Sequence, residues 1–306
     1  MTSISQCGIM LEPQQGMSIQ EIVDWATYAE RNGYGYILRS DHLLPIGDNK
    51  EMDSPECWVS LAAVAATTSR IKFGPLVSPI GFRNPVLLSR MACNLHSYSH
   101  GRLVLSVGAG WYKDEYDAAG YEFPKFQVRY ERLIESLKII KPLIEGKKVE
   151  FKGKHYAAKI ACYPGSKIHL IIGGTNSRIV RAAGEYADEW NSDITVAAFR
   201  EKKKLVDDSK GTRQIEYSRM GPFLIAENRK RLEMKLTQKP ELSKMYGSPL
   251  KVDELRQRGV LCGSVDEFTS QLNEYSEAGV DKFYFQILDT NDKEMVDLLT
   301  DTLRKL

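Results

Sequence analysis

Asp41 and His42 stand side by side where a short apolar run, residues 36–38, passes into Arg39-Ser40-Asp41-His42. Imidazole titrates near neutral pH, and a neighbouring carboxylate can fix its tautomer or raise its basicity, so the pair suits proton transfer. The competing reading is a turn in which His42 caps the strand or bonds backbone. Two glycine-rich stretches follow other apolar runs. Gly108, Ala109 and Gly110 end residues 103–107 and lead into the polar Lys113, Asp114 and Glu115. Small residues there let a flat or anionic ligand approach N–H groups that the next helix leaves unpaired. Gly173, Gly174 and Thr175 end residues 168–172 and offer N–H groups and a hydroxyl to a phosphate. No GxGxxG follows a strand, so this is not a dinucleotide fingerprint. Trp111 could wall a substrate pocket or stack on a cofactor, or serve only loop packing.

The elements that position these residues repeat a single unit. Ser18 caps a helix over 19–31 that Asn32-Gly33 stops; Pro55 and Pro85 open helices that end near Thr68 and Tyr98. Strands are expected at 4–11, 36–38, 71–77, 103–107, 168–172, 189–191, 216–226 and 282–287, the seventh carrying the weakest signal. Helices separate them, with Leu133, Ile134, Leu137, Ile140 and Ile144 spaced as one helical face and Pro142 at its frayed end. Sequential strands joined by helices imply a parallel sheet, and eight such units favour a closed (β/α)8 TIM barrel, with the site at the strand C-termini. Residues 147–166 interrupt the alternation after the fourth unit and read as a lid or hairpin. The whole chain, 1–306, is read as one domain with that insertion.

Composition narrows the class. A formal charge of +2 over 306 residues argues against nucleic acid or an anionic membrane as the main partner. Five scattered cysteines without a CxxC pair suggest a reducing compartment. No stretch approaches the ~18 apolar residues of a membrane helix, so a cytoplasmic protein is expected. His96 and His100 are four apart on a helix but lack a third ligand. No metal site is expected, and a surface or capping role is favoured for both. Cys93 and Cys162 have no motif that would make either a nucleophile.

Five segments in order resemble the bacterial luciferase-like monooxygenase superfamily: SDHL at 40–43, VSPIGFRNP at 77–85, GRLVLSVGAGWYKDEYDAAGYEFP at 101–124, IIGGTNSRIVRAAGEYADEWN at 171–191 and GSVDEFTSQLNEYSEAGVDKF at 263–283. The resemblance implies a TIM barrel holding F420 or FMN. It implies that His42 acts on the substrate proton and that Gly173, Gly174 and Thr175 hold the cofactor phosphate. Leu76, Val77 and Ser78 would lie under the ring, with a bulge or unusual peptide geometry nearby. Gly108, Ala109 and Gly110 would make room for a planar ring, with Trp111 beside the substrate. Sugar-phosphate dehydrogenases of this group carry a glutamate where Trp111 stands, which argues against that activity. The expected function is F420-dependent hydride transfer with a small organic substrate. The alternatives are an FMN-dependent monooxygenase using reduced flavin and oxygen, and a non-catalytic flavin-binding barrel. A flavin or F420 reductase is a candidate partner, and a homo-oligomer, a dimer first, is expected.

Overall fold

The computed structural model describes residues 3–47, 52–239, 242 and 250–306. Strands β1 (Cys7–Leu11), β2 (Tyr36–Arg39), β3 (Lys72–Pro75), β5 (Val104–Gly108), β8 (His169–Gly173), β9 (Glu189–Ser192), β10 (Glu216–Ala226) and β12 (Lys282–Ile287) form the barrel wall. All their pairings are parallel, in the order β3-β2-β1-β12-β10-β9-β8-β5. A bridge between Phe73 and Leu103 closes the ring. The two-residue strand β4 (Ser78–Pro79) pairs with the end of β5, and β11 (Leu261–Ser264) pairs with the far half of β10.

Side chains alternate along each strand and are covered on both faces, which explains the continuous apolar runs in the sequence. Ile9, Leu105 and Ile172 pack outward against the helices; Met10, Tyr36, Leu38, Val104, Ile171 and Tyr284 form a separate cluster inside the ring. Local signals start the helices. Ser18 and Glu21 form a capping box on α1 (Ile19–Asn32), and Asn84 caps α3 (Pro85–Tyr98), whose first residue is proline. Between β2 and β3 lies α2 (Cys57–Thr67). The short α4 (Lys113–Ala118) and long α5 (Phe126–Ile144) follow β5, and Pro142 sits inside α5. Then come α6 (Ser177–Tyr186), α7 (Val196–Ser209), α8 (Arg229–Thr237), α9 (Val252–Gln257), α10 (Val265–Glu277) and α11 (Lys293–Leu303). Among the described residues, no helix is long and apolar enough to cross a membrane.

The insertion is an antiparallel hairpin, β6 (Lys148–Lys152) with β7 (Ala157–Ala161), forming its own sheet. His155 and Tyr156 lie in its turn, whose backbone N–H groups donate to Glu135 of α5. No residue from 147 to 166 lines the central cavity, which corrects the expectation of a lid. The reason is topological: the segment follows α5, which returns the chain to the N-terminal side of the barrel.

That N-terminal mouth is closed by charge. Lys282 Nζ donates to Glu189 and Glu216, each at 2.7 Å, and Tyr284 donates to the other Glu189 oxygen at 2.8 Å. His169 Nε2 lies 3.0 Å from Glu189. Burial alone would raise the Glu189 carboxyl, but His169 and Lys282 outweigh it and hold it at about 2. Burial likewise opposes the Lys282 ammonium, and Glu189 with its neighbours keeps its pKa above the usual lysine value. His169, Glu189 and Glu216 come within metal-ligand reach of one another, yet the ammonium of Lys282 already sits against both carboxylates.

Candidate active site

At the opposite mouth a cavity of about 650 Å³ opens among the strand C-termini. His42, on the loop after β2, lines it and is oriented from behind. Its Nδ1 lies 3.0 and 3.2 Å from the two oxygens of Glu115, a buried residue of α4 that also accepts the Leu43 N–H at 3.0 Å. A carboxylate at Nδ1 fixes the proton there and leaves Nε2 without a protein partner among the described residues. Burial would lower the His42 pKa, but the hydrogen bond and charge of Glu115, helped by Glu12 and Asp41, prevail and hold it above the ordinary value. Trp111 and Tyr112 meet the imidazole edge-on at 5.7 and 5.9 Å.

Asp41 does something different from the expected pairing with its neighbour. Its Oδ2 accepts from Ser78 Oγ and Arg83 Nη1, both at 2.6 Å, and Arg83 also binds Glu56. Ser78 in turn accepts from Trp58 Nε1 at 3.2 Å. Side chains at adjacent positions of an extended loop diverge, so Asp41 anchors the β3–β4 segment while the distant Glu115 serves the imidazole. Ser78 is fully buried and does not line the cavity; Leu76 and Val77 do, and the peptide between them is cis.

Val77 explains two glycines. A Cβ on Gly108 would lie 2.7 Å from Val77 Cγ2, and one on Gly173 would lie 2.7 Å from Cγ1. Gly110 is similarly required by Tyr116, whose hydroxyl would be 2.3 Å from an added Cβ. These glycines clear space first for the protein's own side chains, where the sequence suggested room for a ring. Gly173, Gly174, Thr175 and Asn176 line the wall at the start of α6, and Asn176 caps that helix through Arg178 N–H. Arg129 of α5 faces the same cavity. It packs over Phe123 at 4.1 Å, and its Nε is buried without a partner among the described residues.

A family model described as luciferase-like monooxygenase matches residues 3–233. The chain belongs to this family. It is 28% identical over 293 residues to the F420-dependent glucose-6-phosphate dehydrogenase of Amycolatopsis mediterranei, spanning 87% of this chain and 88% of that protein. Two solved structures share the fold. The coenzyme F420-dependent tetrahydromethanopterin reductase of Methanopyrus kandleri has a TM-score of 0.77 at 20% identity, covering 99% and 97% of the two chains. The oxygenating constituent of a Pseudomonas putida diketocamphane monooxygenase, solved with FMN, gives 0.75 at 19% identity over 100% and 98%.

Within this luciferase-like barrel, Asp41, His42, Leu76, Val77, Gly108, Ala109, Gly110, Trp111, Gly173, Gly174 and Thr175 converge on one cavity; Ser78 alone of the sequence candidates stays behind it. Sequence reading passed over Glu12 and Glu115. Glu12 follows β1 directly and accepts from Gln14 and Gln286, both at 2.6 Å. A carboxylate at a barrel strand's C-terminal end was a usable signal for it. Glu115 offered none, since its partner is 73 residues away. Arg219 was also missed; it lines the cavity beside Arg258, donates to the Gly259 carbonyl and lies over the Tyr275 ring. His96, expected at the surface or as a cap, is buried, with Nδ1 on the Leu103 carbonyl and Nε2 on Ser166.

Proposed function

We propose that this chain is an F420-dependent oxidoreductase that interconverts a small alcohol and its carbonyl form. The observation carrying the reading is the Glu115–His42 pair, which ties one ring nitrogen of a part-buried imidazole to a buried carboxylate and leaves the other for the cavity that His42 lines. The residues fit a deazaflavin with a phosphate-bearing tail. Val77, seated against Gly108 and Gly173, gives an apolar floor, and the α6 N-terminus with Arg129 Nε offers donors that the protein leaves for an anion. A bound deazaflavin supplies the hydride acceptor or donor.

The chain's own residues handle the proton. In the oxidation direction His42 Nε2 takes the substrate's hydroxyl proton, and Glu115 stabilises the imidazolium that results. In reduction the imidazolium returns that proton to the carbonyl oxygen. Asp41 acts through Arg83 and Ser78, keeping the cavity floor in register with the His42 loop. Because the His42 pKa is raised, oxidation should rise with pH through that pKa and reduction should fall.

Trp111 takes the place of the glutamate of sugar-phosphate dehydrogenases, so glucose-6-phosphate should be a poor substrate. A cytoplasmic setting and an F420 reductase that recycles the cofactor belong to the same proposal. Titration of the purified protein with F420 and with FMN, followed by cofactor fluorescence, tests it. Micromolar or tighter binding of F420 without binding of FMN supports the reading. The reverse overturns it in favour of a flavin monooxygenase.

A further inference from the structure

Two buried polar groups on the cavity wall have bonding capacity that the protein does not use. Ser192 ends β9, and its register partner on β10 is Arg219, so the two stand side by side on neighbouring strands. They are 3% and 2% exposed, and both line the cavity. Neither Ser192 Oγ nor Arg219 Nε has a partner among the described residues. The guanidinium is held by the Gly259 carbonyl, to which Nη2 donates, and by the Tyr275 ring, whose centre lies 5.0 Å away.

No carboxylate among the described residues pairs with this cation. Glu12, Asp41 and Glu115 line the cavity but are engaged by Gln14 and Gln286, by Arg83 and Ser78, and by His42. A guanidinium buried without a counter-ion is costly, because its lost hydration goes uncompensated. Gly221 leaves room beside it. A Cβ there would lie 3.2 Å from Nη2 and 3.4 Å from Nη1, and the backbone does not itself demand glycine, since φ is not positive. Gly221 lines the cavity too.

We propose that Arg219 and Ser192 bind a carboxylate of the substrate, so that the alcohol oxidised here is a hydroxy acid. The proposal rests on the alcohol–carbonyl reading given above. A guanidinium edge with a hydroxyl beside it offers charge-assisted donors to the oxygens of a carboxylate. The cofactor phosphate has its own donors at the α6 N-terminus and Arg129, which leaves this second cation for the substrate. Anchoring the acid end restricts how the hydroxyl meets His42, which stands after β2, opposite β9 in the ring.

The test is calorimetric titration of the full chain, with and without F420, using ω-hydroxy carboxylates from 3-hydroxypropionate to 6-hydroxyhexanoate and the α,ω-diols of matching length. At least one acid should bind about 10–100-fold more tightly than its diol, the range for a hydrogen bond to a charged group. Arg219→Gln should abolish that preference, Arg219→Lys should keep part of it, and Ser192→Ala and Gly221→Ala should each weaken it, all with F420 affinity unchanged. The last two variants carry the test if Arg219→Gln does not fold. Equal binding of acids and diols, binding of neither, or a preference that survives Arg219→Gln would overturn the proposal. Displacement of the acid by F420 would assign the site to a carboxylate of the cofactor and overturn it as well. A preference for acids in a protein that does not bind F420 would sustain the carboxylate site and remove the cofactor assignment instead.

Discussion

The two mouths of the barrel hold similar inventories of charge and use them in opposite ways. At the N-terminal mouth, Lys282, Glu189, Tyr284 and His169 satisfy one another, and little bonding capacity remains. At the C-terminal mouth, three of the cavity's polar groups are held from behind: His42 by Glu115, Asp41 by Arg83 and Ser78, Glu12 by Gln14 and Gln286. The second ring nitrogen of His42 stays open. A closed network contributes to one well-defined fold, whereas a network bonded on one side only stores its remaining capacity for a ligand. Position in the barrel thus separates structural from chemical charge before any assay.

The largest effect should come from removing the imidazole. His42→Ala should cut turnover by about two to four orders of magnitude, the range for a general acid–base group, while cofactor titration changes little. Unchanged turnover would remove His42 from the mechanism. The mirror experiment is at the other mouth. Glu189→Ala leaves a buried ammonium poorly paired and should cost roughly 3–5 kcal/mol in urea unfolding, with kcat and KM intact where the variant is folded. A kinetic defect without a stability defect would erase the distinction between the mouths.

Two pH experiments sharpen it. Glu115→Gln removes the charge that raises the His42 pKa, so the pH–rate profile for oxidation should move to lower pH. An unmoved profile would mean that Glu115 does not set this titration. Glu189, held at about 2, contributes stability fully above its unfolded-state pKa. That contribution is lost as pH falls from roughly 4.3 toward the folded value, so wild-type stability should decline across this window. The Glu189→Ala variant should lack that part of the decline.

The smallest effect concerns the cavity floor. Gly108→Ala forces Val77 to move and should cost about 1–3 kcal/mol by overpacking, with weakened cofactor binding. Combining it with Val77→Ala should restore much of the loss. Additive losses in the double variant would refute the contact.

The barrel was legible because its strands are apolar on both faces and its helices carry their own caps. β10 read weakly because Gly221 and Pro222 interrupt it. In the structure Pro222 marks where the strand's pairing passes from β12 to β11, a point at which a missing N–H is tolerated. The glycine turns and His42 were legible from residue type and their place after strands. The partner of His42 was not, since a carboxylate 73 residues along the chain meets it only through the fold. The hairpin's position was recoverable in principle: an insertion after a helix starts at the wrong end of the barrel to cover the site.

Trp111 gives the molecule a built-in optical reporter. Of the four tryptophans, Trp25, Trp58 and Trp190 are buried, while Trp111 is 63% exposed, with its ring against His42. Iodide should therefore quench a single class of indole emission, and protection of that class should report what enters the cavity without any label.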